Sequence, residues 1–278
     1  MLKQRIATGV LMVALFLCSL FVLPATGFFI FVSVAVLIGA WEWSNLSGFG
    51  KKRVRLIYCS ISAALMFAAG IYTHVLDSID INQEAIRQSL LFAGAWWAVA
   101  LLWVQGYPTS SALWGYRWVK AIMGWFVLVP SWLALIYLYQ ANNGSWLILL
   151  VVSVVIAADT GAYFFGRLFG KRKLAKDVSP GKSWEGFFGG VLCCFILSIL
   201  LAWQTDFNDW RTILLIIIPT ALVSVLGDLF ESMMKRHRGI KDSGVILPGH
   251  GGVLDRLDSL TAAVPIFALA VLLTGWTL

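Results

Sequence analysis

The chain has 278 residues, of which 60% are hydrophobic and 13% charged, with a net charge of +7. That balance excludes a soluble globule and a disordered chain, and it fits a polytopic membrane protein. No nucleic-acid partner is expected, because membrane topology accounts for nearly all of the positive charge.

Nine apolar runs follow in chain order, at roughly 6–23, 28–43, 56–73, 89–104, 119–138, 146–166, 187–203, 212–230 and 260–276. A helix crosses ~30 Å of hydrocarbon with about 20 such residues. The second and fourth runs are short and Trp-rich. The expected fold is therefore all-α, with about five spans in residues 1–145 and four in residues 146–278. The first run follows a basic MLKQRI start and ends on small residues, as a signal peptide does. Its apolar stretch is long, however, and another span follows at once, so it is read as a retained helix. With the amino terminus in the cytoplasm, every Lys and Arg except Arg87 and Arg211 falls on the inner side. The outer loops then carry Asp77, Asp80, Glu84, Asp206 and Asp209. The positive-inside rule thus supports nine spans, amino end in and carboxyl end out, and the expected location is the cell inner membrane. Trp41, Trp43, Trp118, Trp203 and Trp276 near span ends read as interfacial anchors.

Two inner loops, 167–186 and 231–259, collect the polar chemistry. Asp159, Asp228, Asp255 and Asp258 flank them. A carboxylate in hydrocarbon costs a few kcal/mol even on the most lenient scale, so each of these needs a partner. Asp255 and Asp258 are three apart and share a helix face if a helix begins near Gly252. With Asp228 they suit a cation with oxygen ligands, and Mg²⁺ takes one or two carboxylates plus phosphates and water. The bland reading is two first-turn acids favoured by the helix dipole. Gly249, Gly251 and Gly252 around His250 would let backbone N–H groups approach an anion. Lys235, Arg236, Arg238 and Lys241 could neutralise phosphates, or serve topology and anionic lipid heads alone. His250 suits an acid, a base or a phosphate donor as well as a structural turn. The GKS of SPGKSWEG (179–186) lacks the Gly that a phosphate loop carries five residues earlier, where Lys176 stands. An ATPase is rejected, while Lys182, Ser179 and Ser183 remain as phosphate contacts and Glu185 as a membrane-edge acid. The sum is a Mg²⁺-dependent, phosphate-handling site at the cytoplasmic face, open to a phosphorylated and lipid-soluble substrate.

The run Ser232-x-Met234-Lys235-Arg236, then Lys241-Asp242-x-Gly244, then Leu247-Pro248-x-His250-Gly251-Gly252-Val253-x-Asp255-Arg256-Leu257-Asp258 resembles the full signature of phosphatidate cytidylyltransferases, the CDP-diacylglycerol synthases. The resemblance extends to MLKQRI, to ADTGAYFFGRLFGK (158–171) and to SPGKSWEG, and covers the amino-terminal half mainly by hydropathy. It departs at Gly181, where the family usually has a second Lys, and at Ser183, where Thr is common. The resemblance implies transfer of CMP from CTP to phosphatidate, with pyrophosphate leaving, on Mg²⁺ and a possible second cation such as K⁺. It implies Asp228 and Asp255 as metal ligands, and Asp258 as a further ligand or the holder of Arg256 or of a metal-bound water. Lys235, Arg236 and Lys241 would hold phosphates, with His250 beside them in the catalytic set. Asp242, Gly251, Gly252, Arg256, Lys171, Lys182 and Ser179 would bind substrate, and Asp159 would line the cavity or hold a lysine. A homodimer is implied by analogy. The rival readings are a CTP-dependent lipid kinase and an ion-coupled transporter.

Overall fold

The structure, a computed structural model, describes residues 2–77, 80–205 and 209–277, with side chains from Arg5 onward. Asp206, one of the expected outer acids, lies outside the described residues.

Helices occupy all nine apolar runs, because backbone groups in hydrocarbon must be satisfied within their own segment. They are α1 (Leu2–Phe21), α2 (Ala25–Leu46), α3 (Lys52–Thr73), α4 (Gln83–Gln105), the single turn α5 (Ser111–Trp114), α6 (Arg117–Gln140) and α7 (Gly144–Phe169). A ribbon of β1 (Lys173–Ala175) and β2 (Ser179–Ser183) follows, then α8 (Trp184–Gln204), α9 (Trp210–Arg238) and α10 (Leu254–Thr274). Eight of these helices are long and apolar enough to cross a membrane, and α1 is apolar over Arg5–Phe21. The runs at 28–43 and 89–104 extend to full spans of 22 and 23 residues. The last turns of α2 hold Glu42, Trp43 and Ser44, polar or amphipathic residues buried within the protein.

Two helix pairs build the carboxyl-terminal half, and small residues let each pair close. A Cβ at Gly190 of α8 would stand 2.5 Å from the Ala158 carbonyl of α7, and one at Gly227 of α9 would stand 2.5 Å from the Asp258 carbonyl of α10. α10 also leans on α6, where Ser131 Oγ donates to the Thr261 carbonyl at 2.6 Å. Phe230 of α9 fills the centre, its ring 5.7 Å from Trp96, 5.6 Å from Trp97 and 6.1 Å from Trp43. The amino-terminal spans thus clamp α9 beside the residues that carry the polar chemistry.

Two expectations change here. Trp43 and Trp276 are core residues, 1% and 7% exposed, while Trp118 and Trp203 stand 71% and 77% exposed as interfacial anchors should. Trp43 is inside because its indole N–H donates to the Lys120 carbonyl at 2.7 Å. The 167–186 loop is also partly folded. Lys173 faces Ser183 and Ala175 faces Ser179 in an antiparallel ribbon. The Glu185 carboxylate accepts from the N–H groups of Lys171 (3.0 Å) and Arg172, and so ties the ribbon's base to α8. Ser183 caps α8 by accepting from the Gly186 N–H at 3.1 Å.

Candidate functional site

The polar residues gather in two neighbouring clusters. The first is a cavity of about 410 Å³ between α7, α8, α9 and the ribbon, whose walls include Asp159, Arg167, Lys182 and Asp228. The ribbon delivers Lys182, whose Nζ lies 2.6 Å from Asp228 Oδ2. Ser232, one turn along α9, donates to Asp228 Oδ1 at 3.2 Å. A carboxylate accepts about four hydrogen bonds, so Asp228 retains capacity for a further ligand. Asp159 adds a second carboxylate to the same wall. Arg236 braces the ribbon from outside, its Nε donating to the Val178 carbonyl at 3.2 Å.

The second cluster lies where the polar turn 240–253 enters α10. Lys235 Nζ donates to Asp255 Oδ1 at 2.8 Å and to Glu231 Oε2 at 3.2 Å. Asp255 also accepts from the Ser243 N–H on both oxygens (3.2 and 3.0 Å) and from the Gly252 N–H on Oδ2 (2.8 Å). Glu42 arrives from α2, 1% exposed. Its carboxylate accepts from the N–H groups of Val253 (3.1 Å) and Leu254 (2.7 Å) and from Ser243 Oγ (3.2 Å).

The glycine-rich turn therefore does cradle anions, but they are the protein's own. A Cβ at Gly251 would stand 2.7 Å from Asp255 Oδ2, and one at Gly252 would stand 2.6 Å from Glu42 Oε2. A Cβ at Gly244 would overlap Glu42 Oε1. The backbone N–H groups of residues 252–254, expected to receive a phosphate, are already occupied. Gly244→Ala is accordingly expected to cost about 1–3 kcal/mol of stability, as overpacking does, whereas Gly181→Ala is neutral, since nothing lies within 4 Å of its Cβ position. Thermal unfolding of the two variants in detergent checks the contrast.

The structure does not gather Asp228, Asp255 and Asp258 into one cage. Among the described residues no three metal-competent side chains converge. The reason is local. Asp255, in the first turn of α10, is filled by Lys235 and two backbone donors, and Asp228 faces the cavity. Asp258 Oδ1 accepts from the Ser259 N–H at 2.8 Å, and Asp258 interacts electrostatically with Asp228, Glu231 and Lys235. Asp258 does not hold Arg256, whose Nε and Nη2 donate to the His250 carbonyl at 3.3 and 3.0 Å. His250 packs its ring against Gly9 of α1. Lys171, Lys241 and Asp242 are exposed, and neither Lys171 nor Lys241 lines the cavity. Asp242 lies at the edge of the second cluster, where a Cβ at Gly251 would stand 3.4 Å from its Cβ, and Ser179 lies in the ribbon register rather than on the cavity wall.

Sequence reasoning passed over three residues. Glu42 lies in an apolar run, and an acid there needs a partner, which was its signal. Glu231 continues the face of Asp228 and Lys235 at helical spacing, with 2% exposure. Arg167 sits in the last turn of α7 and lines the cavity.

A model of the cytidylyltransferase family matches residues 3–274. The chain is similar to the phosphatidate cytidylyltransferase of Pseudomonas aeruginosa, 42% identical over 279 residues, covering 99% of each chain. It is similar to the enzyme of that name from Haemophilus influenzae, 38% identical over 283 residues, covering 96% of this chain and 98% of the other. Against that of Staphylococcus saprophyticus it is 48% identical over 138 residues, 49% of this chain and 53% of the relative. With the match running nearly end to end, this multi-pass membrane protein belongs to the cytidylyltransferase family.

Proposed function

We propose that the protein is a phosphatidate cytidylyltransferase, which makes CDP-diacylglycerol and pyrophosphate from CTP and phosphatidate. The observation that supports this reading on the structure is the charged cavity between helices long enough to cross a membrane, where Lys182, Asp228, Asp159 and Arg167 share a wall close in sequence to the exposed apolar side chains of Phe164 and Leu168. A phosphate oxygen of phosphatidate attacks the α-phosphorus of CTP. A new P–O bond forms, the bond from the α-phosphorus to the bridging oxygen breaks, and pyrophosphate leaves with the electron pair. The ionised phosphate is already a nucleophile, so the protein needs to position the reactants and neutralise charge rather than supply a strong base. Residues 146–278 carry these groups, and residues 1–145 brace them through α2, α4 and α6. Lys182 and Arg167 would hold phosphates in the cavity, with Arg236 steadying the ribbon.

Mg²⁺ fits the cavity as a cation completed by substrate phosphates, because Asp228 keeps unoccupied acceptor positions while Asp255 could ligate only by releasing Lys235. Asp228, with Asp258 behind it, would hold the ion, and the ion would neutralise the triphosphate. A second cation such as K⁺ is proposed on the family resemblance, as is a homodimer. The basic ends of the spans favour an inner-membrane protein with its site facing the cytoplasm.

Incubation of the purified protein with phosphatidate and CTP labelled at the α-phosphorus tests the reaction. Label is expected to enter lipid. Transfer of γ-label alone would favour a lipid kinase, and ion flux without CTP turnover a transporter. Removing divalent cations with EDTA is expected to stop incorporation, and excess Mg²⁺ to restore it. Full turnover in EDTA would remove the cation from the account.

A further inference from the structure

The cavity wall contains two carboxylates and two cationic side chains, and they are not equally matched. Lys182 is held by Asp228 at 2.6 Å, and its electrostatic neighbours include Asp159. Arg167 touches no carboxylate among the described residues. Its Nη1 donates to the Tyr163 hydroxyl, 3.0 Å away and one turn back on α7. Tyr163 lines the cavity too, yet it is 59% exposed. Beside it Phe164, Leu168 and Phe169 are 56%, 71% and 58% exposed, a surface that in a membrane protein meets lipid. Arg167 and Tyr163 therefore stand where the charged cavity opens toward the bilayer.

That place suits one part of one substrate. A guanidinium binds phosphate through a planar fork of donors, and it is not neutralised here by a protein acid. Tyr163, having accepted from Arg167, keeps its own hydroxyl hydrogen to donate. Acyl chains lying along the exposed aromatic end of α7 would bring a headgroup to this lip. We propose that Arg167, supported by Tyr163, binds the phosphate monoester of the lipid substrate, and that the triphosphate of the nucleotide lies deeper, toward Lys182 and Asp228. This assignment rests on the cytidylyltransferase reading above.

The test is steady-state kinetics of the full-length protein in mixed micelles, varying the mole fraction of dioleoyl phosphatidate and the CTP concentration separately. Arg167→Ala is expected to raise the KM for phosphatidate about tenfold, the worth of one charge-assisted hydrogen bond, and to leave the KM for CTP within about twofold. Arg167→Lys, which keeps the charge and loses the fork, should fall between. Tyr163→Phe should give a smaller rise in the same constant, and these two variants carry the test if Arg167→Ala does not accumulate. A raised KM for CTP with phosphatidate unaffected would reassign Arg167 to the nucleotide and overturn the proposal. Unchanged constants for both substrates would overturn it as well. Wild-type incorporation of α-label is measured alongside. If that fails, the activity itself is wrong; if it succeeds and Arg167→Ala matches wild type, only this assignment falls.

Discussion

Asp228→Asn is expected to lower kcat by about 10²–10³-fold, the usual cost of removing one charged group that acts on a reacting phosphate or carbonyl, with protein in the membrane near the wild-type amount. The substitution keeps the shape of the side chain and an oxygen for Ser232. It removes the charge that faces Lys182 at 2.6 Å, in a pair whose side chains are only 27% and 24% exposed. The Lys182 ammonium then lacks its counter-charge in a half-buried cavity, and any cation brought with CTP lacks its carboxylate. Lys182→Met should also impair turnover, by losing the phosphate contact and leaving Asp228 alone. Because the two side chains share one interaction, the double variant should lose less than the product of the single losses. Turnover is read as α-label incorporation by detergent-solubilised protein at saturating CTP. Retention of more than about a tenth of wild-type kcat by Asp228→Asn would show that this carboxylate is not part of the chemistry, since such a loss is below one ordinary electrostatic contact.

The spans were legible because hydrocarbon leaves the backbone one solution, and apolar length records it directly. The split of charge across the loops was legible for a similar reason. What stayed hidden is long-range pairing. The GHGG turn reads locally as a cradle awaiting an anion, and it is a cradle. Its occupant Glu42 lies 201 residues before Ser243, and no spacing rule connects the two. Asp255 and Asp258 do share the first turns of α10, as their spacing indicates. The bland reading of a first-turn acid applies to Asp255, which reaches back to the Gly252 N–H at 2.8 Å, and this is why it is unavailable beside Asp228. The ribbon at 173–183 escaped because three- and five-residue strands containing Pro180 and Gly181 carry no alternation to detect. It is nevertheless the element that moves Lys182 out of a loop and onto the cavity wall.

Glu42→Ala is expected to have the largest effect on stability. Helices usually begin on a local Ser, Thr, Asp or Asn, whose side chain accepts from the first free N–H groups. α10 begins on Val253, which offers no such side chain. Glu42 replaces it from another helix, accepting from the Val253 and Leu254 N–H groups while it holds Ser243 Oγ. Ser243 in turn presents its N–H to Asp255, and Asp255 holds Lys235. Truncation at Glu42 leaves two buried donors without partners, at about 1–3 kcal/mol each, and loosens the whole chain from α2 to Lys235. Glu42→Gln should be milder, because one oxygen still accepts, but its amide nitrogen then faces a donor. Ser243→Ala should cost least in stability, since it removes only the hydroxyl link. Unfolding of the solubilised protein, followed by tryptophan fluorescence, should rank the midpoints as wild type, Ser243→Ala, Glu42→Gln and Glu42→Ala in falling order. Turnover should fall in the same order, because α10 carries Asp255 and Asp258 on the turns that Glu42 fixes. A Glu42→Ala protein with an unchanged midpoint and wild-type turnover would mean that α10 starts correctly without this carboxylate, and that the amino-terminal half braces the site through the Phe230 aromatic cluster alone.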